Sequence, residues 1–173
     1  MQEIEVKILD IDKDNIIKKI ESLGAVKIFD GLVETAYFDT PDKKLCKDHK
    51  TLRLRKRGTL YELTLKEKVS KAEAKIMNEY EVTVENYEVM MSVLNGLGFQ
   101  QYLSLSKHRL SYSLNDIHFE IDKYNGKYKD IPPFLEIEAP SIDALKTYVL
   151  KIGFSWSDAK PWSSKDVLSH YSK

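Results

Sequence analysis

Met1-Gln2-Glu3-Ile4-Glu5-Val6-Lys7-Ile8 is the stretch that decides the fold. Glu3, Glu5 and Lys7 alternate with Ile4, Val6 and Ile8. Successive side chains of a β-strand point to opposite faces. Two carboxylates and an ammonium therefore share one face, and three β-branched aliphatics share the other. The same device recurs in Leu52-Arg53-Leu54-Arg55-Lys56-Arg57, Leu63-Thr64-Leu65-Lys66 and Glu79-Tyr80-Glu81-Val82. It returns in Lys107-His108-Arg109-Leu110, Phe119-Glu120-Ile121-Asp122 and Leu135-Glu136-Ile137-Glu138.

Outward from that start, the pattern predicts strands at 2–9, 25–39, 51–57, 60–67, 78–84, 100–113, 116–124 and 134–139. Gly58-Thr59 and Leu114-Asn115 read as hairpin turns. Asp12 and Ser141 read as N-caps of helices ending near Gly24 and Gly153, and a further helix spans about 86–96. A short helix is expected near 163–171. Residues 43–49 read as a loop, and 69–77, rich in Lys and Ala, as a mobile connection. One domain over 1–173 is expected, of α+β class with a mainly antiparallel sheet.

An antiparallel sheet commonly keeps one face in water, and a single charged face needs no other account. Here three helices each have an apolar side that requires a sheet face, which the apolar strand faces supply. About eight strands can close into a barrel whose interior and exterior positions alternate. Closure of such a sheet would give an eight-stranded closed β-barrel with helices packed on the outside. About eight acids and at least six bases would then line one lumen. Burying them dry costs more than their pairing returns, so the lumen must be wet or hold a charged ligand.

The side-chain types select that ligand. Glu3 and Glu5, two residues apart on one strand, can both reach one cation, and carboxylate clusters are hard-oxygen sites suited to Mg²⁺ or Mn²⁺. Arg53, Arg55, Lys66, Lys107 and Arg109 are donors without acceptors, and the Arg fork matches phosphate oxygens. Acids and bases in one hole suit a metal-chelated polyphosphate.

At this level of detail the chain resembles the CYTH superfamily, the triphosphate tunnel metalloenzymes. Their Glu-x-Glu-x-Lys hallmark is Glu3-Ile4-Glu5-Val6-Lys7 here. Further matches follow in order: Tyr37-Phe38-Asp39-Thr40, Leu52-Arg53-Leu54-Arg55, Leu63-Thr64-Leu65-Lys66, Glu79-Tyr80-Glu81, Lys107-His108-Arg109, Ile121-Asp122 and Phe134-Leu135-Glu136-Ile137-Glu138. The resemblance implies an eight-stranded tunnel that holds triphosphate and requires a divalent metal. It implies Glu3, Glu5, Glu136 and Glu138 as metal ligands. It implies Lys7, Arg53, Arg55, Lys66, Lys107 and Arg109 as phosphate holders, with Lys165 reaching a tunnel mouth. Lys7, Glu5, Lys66 and Arg109 are the expected catalytic set. Glu79, Glu81, Glu120 and Asp122 either balance the bases or hold a second metal. Arg57 and Lys68, at strand ends, read as surface charge.

Three functions are compatible with this set. The first is a metal-dependent hydrolase of tripolyphosphate or a nucleoside or thiamine triphosphate. The second is a class IV adenylyl cyclase converting ATP to cyclic AMP and pyrophosphate. The third is a catalytically idle polyphosphate- or nucleotide-binding module. The cyclase-like subgroup carries His-x-x-Gln-x-Asp before Tyr-Phe, and Phe29 to Ala36 departs from it.

Composition excludes other classes. Lys plus Arg equals Asp plus Glu at 27 each, so generic attraction to nucleic acid or anionic membrane is not expected. A single cysteine, Cys46, excludes an internal disulfide and fits a reducing compartment. No apolar run approaches the ~18 residues of a membrane span, and a cytoplasmic monomer or homodimer is expected. No Gly-rich phosphate loop exists, and His49, His108, His118 and His170 lack metal-ligand spacing.

Overall fold

A computed structural model describes residues 2–172. In chain order its strands are β1 (Gln2–Ile8), β2 (Val26–Asp39), β3 (Lys50–Arg57), β4 (Leu60–Ser70), β5 (Lys75–Val84), β6 (Gln100–Leu114), β7 (Ile117–Tyr124) and β8 (Phe134–Glu138). The helices are α1 (Lys13–Ser22), α2 (Lys44–Lys47), α3 (Tyr87–Gly96), α4 (Ile142–Lys151) and α5 (Ser164–Tyr171). The eight strands close in the order β1-β5-β4-β3-β2-β6-β7-β8, and every neighbouring pair is antiparallel. This is the closed eight-stranded barrel that the family resemblance implies.

Asp12 and Ser141 cap their helices as expected, and Asn86 caps α3. Asp12, Asn86 and Ser141 side chains accept from the backbone N–H groups of Asn15, Val89 and Ala144. Gly24 follows α1 at φ 89°, where a side chain would be strained. Asn115 turns the β6–β7 hairpin at φ 52°.

The outward faces form two of the three apolar cores. Ile4, Val6 and Ile8 of β1, with Phe119, Ile121, Leu135 and Ile137, pack against Ile16 and Ile20 of α1 and Leu145 and Val149 of α4. Ala36, Phe38, Leu52 and Leu54 pack against Leu94 of α3. Cover is incomplete on β5, where Tyr80 and Val82 are each 57% exposed.

Three expectations are corrected. Residues 69–77 are not a mobile connection: β4 runs to Ser70 and β5 starts at Lys75, so only 71–74 separate them. Lys and Ala have weak strand propensity, and pairing with the neighbouring strands overrides it. Residues 43–49 are not all loop, because the Asp39 carboxylate accepts from the N–H groups of Leu45 and Cys46 and organises α2. Finally, α5 does not lie on the outer wall. Its Val167 and Leu168 pack with Leu105, Tyr124 and Phe134, which share the inward face with Lys107, Asp122 and Glu136. α5 therefore closes one end of the barrel. Lys71 to Asp166 (2.6 Å) and the Tyr171 hydroxyl to Asp10 (2.6 Å) hold it there. The backbones of Lys7 and Lys160 exchange two hydrogen bonds of 2.8 Å beside it. Among the described residues no helix is long and apolar enough to cross a membrane.

Candidate functional site

Strand register brings the charged faces together inside the barrel. Glu5 faces Lys75 on β5 and Glu138 on β8, and Lys7 faces Glu136. Lys66 faces Glu79, Arg55 faces Glu62, and Arg109 faces Asp122. The cavity has a volume of about 1410 Å³. All the expected site residues line it except Asp122, which is fully buried behind the bases that it binds.

Four charge clusters make up the lining. In the first, Lys7 Nζ bonds Glu5 Oε1 at 2.9 Å and also pairs with Glu136, while Lys75 Nζ reaches the same Glu5 oxygen at 2.7 Å. In the second, Lys66 Nζ binds both oxygens of Glu3 and lies 3.1 Å from Glu79. Arg53 donates to Glu79 at 3.1 Å, and the Thr64 hydroxyl donates to Glu81 at 2.9 Å. In the third, Arg109 grips Asp122, pairs with Glu120 and stands 3.9 Å from Glu136, and Lys107 bonds Asp122 at 2.6 Å. In the fourth, Arg57 bonds Glu62, and Arg55 stands 3.8 Å from it.

These contacts set the proton affinities. Burial and Glu136 push the Glu5 carboxyl up, but Lys7, Lys75 and Lys66 outweigh them and it falls to about 2. Burial lowers the Lys7 ammonium, yet Glu136 and Glu5 hold it above its ordinary value. Burial, then the carboxylates of Glu3, Glu120, Glu136 and Glu5, push Glu138 up to about 8. Arg55 goes the other way: burial, Arg53 and Arg109 all lower it. Burial and Arg109 likewise lower Lys107.

The tunnel thus leaves two kinds of polar group without a counterpart. On the basic side, the buried Nε groups of Arg53, Arg55 and Arg57 have no acceptor within the protein. Such a group costs about 1–3 kcal/mol unless something accepts from it. On the acidic side, Glu138 stands among four other carboxylates. That donor set, Glu138 with Glu3, Glu5 and Glu136, is all oxygen, which is the chemistry a hard divalent cation takes. Yet among the described residues no three His, Cys, Asp or Glu side chains are arranged to hold a metal ion. Lysine ammoniums cover Glu3, Glu5 and Glu136 instead.

The remaining candidates are placed as follows. Arg57 is not free surface charge: it turns inward to Glu62, lies 5.8 Å from the Phe29 ring and lines one mouth. Its position keeps the inward parity of Arg53 and Arg55, which outweighs its place at the strand end. Lys68 is exposed, and it too lines the cavity. Asp122 is committed to Arg109 and Lys107, which is charge balance. Lys165 lines the cavity from α5 and is exposed. His108 is exposed beside Asp30 at 3.2 Å, and Cys46 is free and exposed. The sequence reading missed Glu62 and Lys75. Glu62 has the parity of Thr64 and Lys66 and was legible on that basis. Lys75 carried no such signal, lying in what reads as a connection.

A closed antiparallel barrel whose interior is lined by paired acids and bases defines a charge-lined tunnel protein. The chain belongs to the CYTH domain family, whose family model matches residues 1–154. It is 30% identical over 139 residues to a Methanocaldococcus jannaschii protein named "putative adenylate cyclase", covering 80% of this chain and 77% of that one. A solved Pyrococcus horikoshii structure superposes with a TM-score of 0.79 at 26% identity, covering 95% of this chain and 98% of that one. A Hippeastrum structure, described as having a dominant triphosphatase activity, shares the fold. Its TM-score is 0.68 at 16% identity, over 97% of this chain and 95% of that one.

Proposed function

We propose that the protein is a divalent-metal-dependent hydrolase of a triphosphate, held inside the tunnel as its metal chelate. The observation that carries this reading is Arg55. Its side chain, 13% exposed, lies beside Arg53 and Arg109, its carboxylate neighbour Glu62 is 3.8 Å away, and its buried Nε has no acceptor within the protein. A polyanion relieves all three conditions at once. Arg53, Arg55, Lys107 and Arg109 hold the phosphates and steady the charge that develops as the bridging P–O bond breaks. Lys7 and Lys66, now paired to Glu5, Glu136 and Glu3, have ammonium protons to offer the same phosphates. Glu3, Glu5, Glu136 and Glu138 are the residues that hold Mg²⁺ or Mn²⁺. When bound, that cation supplies charge neutralisation and a more acidic water. Water attacks the terminal phosphorus in line, and tripolyphosphate yields orthophosphate and pyrophosphate. A tunnel carboxylate accepts the proton.

Cyclisation of ATP is the second reading, favoured by the name of the Methanocaldococcus jannaschii relative. The tunnel residues serve either reaction, because both hold the same chelated triphosphate. The stretch Phe29 to Ala36 departs from the cyclase-like pattern, which favours hydrolysis. Incubation with Mg²⁺ or Mn²⁺ and, separately, tripolyphosphate and ATP distinguishes the two. Orthophosphate from tripolyphosphate supports hydrolysis, cyclic AMP with pyrophosphate supports cyclisation, and binding without turnover rejects both.

A further inference from the structure

Lys75 stands in the tunnel with no role in the scheme above. It is the first residue of β5 and lies opposite Glu5 in register. Its Nζ is 2.7 Å from Glu5 Oε1, the oxygen that also accepts from Lys7 at 2.9 Å. One buried carboxylate therefore carries two ammoniums. The two are not equivalent. Lys7 bridges Glu5 and Glu136, so one cation serves two anions. Lys75 has Glu5 as its ion-pair partner, lies at the end of a strand after the short 71–74 turn, and keeps 14% of its side chain exposed. It is the less committed of the two cations, and the more exposed.

A divalent ion approaching Glu5 meets both ammoniums and must displace one. Like charges a few ångströms apart repel, and more strongly inside a protein than in bulk water. A polyphosphate changes this balance, because its oxygens accept from the lysines and leave the carboxylates uncovered.

Resting on the triphosphate reading, we propose that Lys75 is a tethered counter-cation that occupies the metal's place at Glu5 until polyphosphate arrives. Metal and polyphosphate consequently bind with positive coupling, and Lys75 is the residue that sets it. It is a positioning residue, acting on Glu5 and not on the reacting atoms. Coupling between two ligands is reciprocal, so each tightens the other by the same factor, roughly 5- to 150-fold in ordinary cases.

The test measures binding without turnover. Mn²⁺ is titrated into the protein with its electron paramagnetic resonance signal as readout, with and without imidotriphosphate, for wild type, Lys75→Ala, Lys75→Met and Lys75→Arg. Lys71→Ala removes a rim lysine that pairs with Asp166 instead, and serves as the control. Wild type is expected to bind Mn²⁺ weakly alone and at least about fivefold tighter with the analogue. Lys75→Ala and Lys75→Met are expected to bind Mn²⁺ alone more tightly than wild type and to lose most of the coupling. Lys75→Arg and Lys71→Ala are expected to resemble wild type. Lys75→Met keeps the apolar stem, so it reports even if the alanine variant does not fold. Unchanged or weaker Mn²⁺ binding in the folded neutral variant overturns the role of Lys75 while leaving the triphosphatase reading intact. Failure of wild type to bind Mn²⁺ even with the analogue overturns both.

Discussion

Arg109 grips Asp122 through two parallel hydrogen bonds of 2.6 Å, Nε to Oδ1 and Nη2 to Oδ2. The pair sits side by side on β6 and β7, and Asp122 also accepts from Lys107. A carboxylate with no exposure thus aims two buried cations into the lumen. Asp122→Ala leaves both without their main partner. Breaking a buried pair from one side costs about 3–5 kcal/mol. Urea denaturation is expected to show a loss of that order, with weakened triphosphate binding. Wild-type stability in the variant would show that Asp122 is not what holds the two bases.

Arg55 predicts the opposite balance. It lies among cations, and its neighbour Glu62 keeps Arg57 without it. Arg55→Met is expected to leave folding stability unchanged or slightly higher. Removing one oriented donor to a developing anion costs about 10²–10³ in rate, and kcat/KM for tripolyphosphate is expected to fall by that order. Parallel denaturation and rate measurements check the split. A destabilised but fully active variant would contradict it.

The acidic wall predicts a pH dependence. Glu138 is raised to about 8 by burial and its carboxylate neighbours, so between its unfolded value near 4.5 and about 8 the folded state binds more protons than the unfolded state. Stability from this group is complete below that lower value and is lost as pH rises through about 8. Glu5, lowered to about 2, works in reverse: its contribution is present above its unfolded value and is lost as pH falls through about 2. The thermal midpoint of metal-free wild type is expected to fall relative to Glu138→Gln between about pH 5 and 8. Equal pH profiles for the two proteins would remove Glu138 from the account.

The barrel end predicts a packing effect. Phe134 is buried with Val167 and Leu168 of α5. Phe134→Ala is expected to cost about 3–5 kcal/mol and to loosen α5, seen as faster amide exchange over residues 164–171. Exchange unchanged there would show that α5 is held by its polar contacts alone.

How far the sequence reaches depends on the kind of signal. A two-residue period is written into Glu3-Ile4-Glu5-Val6-Lys7, and it places inward and outward residues correctly through Arg53, Arg55, Glu79 and Glu136. Closure is permitted by that alternation, and the family resemblance is what selects it. What escaped was tertiary. α2 exists because the Asp39 side chain caps it from a neighbouring strand end. The amphipathic pattern of α5 says that one face is buried, and cannot say that the barrel's open end is what buries it. Lys75 reads as one of several lysines in a soft segment, and only the β1–β5 register brings it to Glu5. Pairing partners across strands were likewise invisible, so the ligand-poor state of Glu3, Glu5 and Glu136, each under a lysine, was not foreseen.

The central claim is that this tunnel directs water to the terminal phosphorus of a bound triphosphate. Turnover of tripolyphosphate with Mn²⁺ in ¹⁸O-labelled water, read by ³¹P NMR, tests it most directly. The label is expected in orthophosphate with unlabelled pyrophosphate, and neither product is expected from Glu5→Gln. Label in the pyrophosphate, or wild-type protein that releases no orthophosphate while forming cyclic AMP from ATP, would contradict the account.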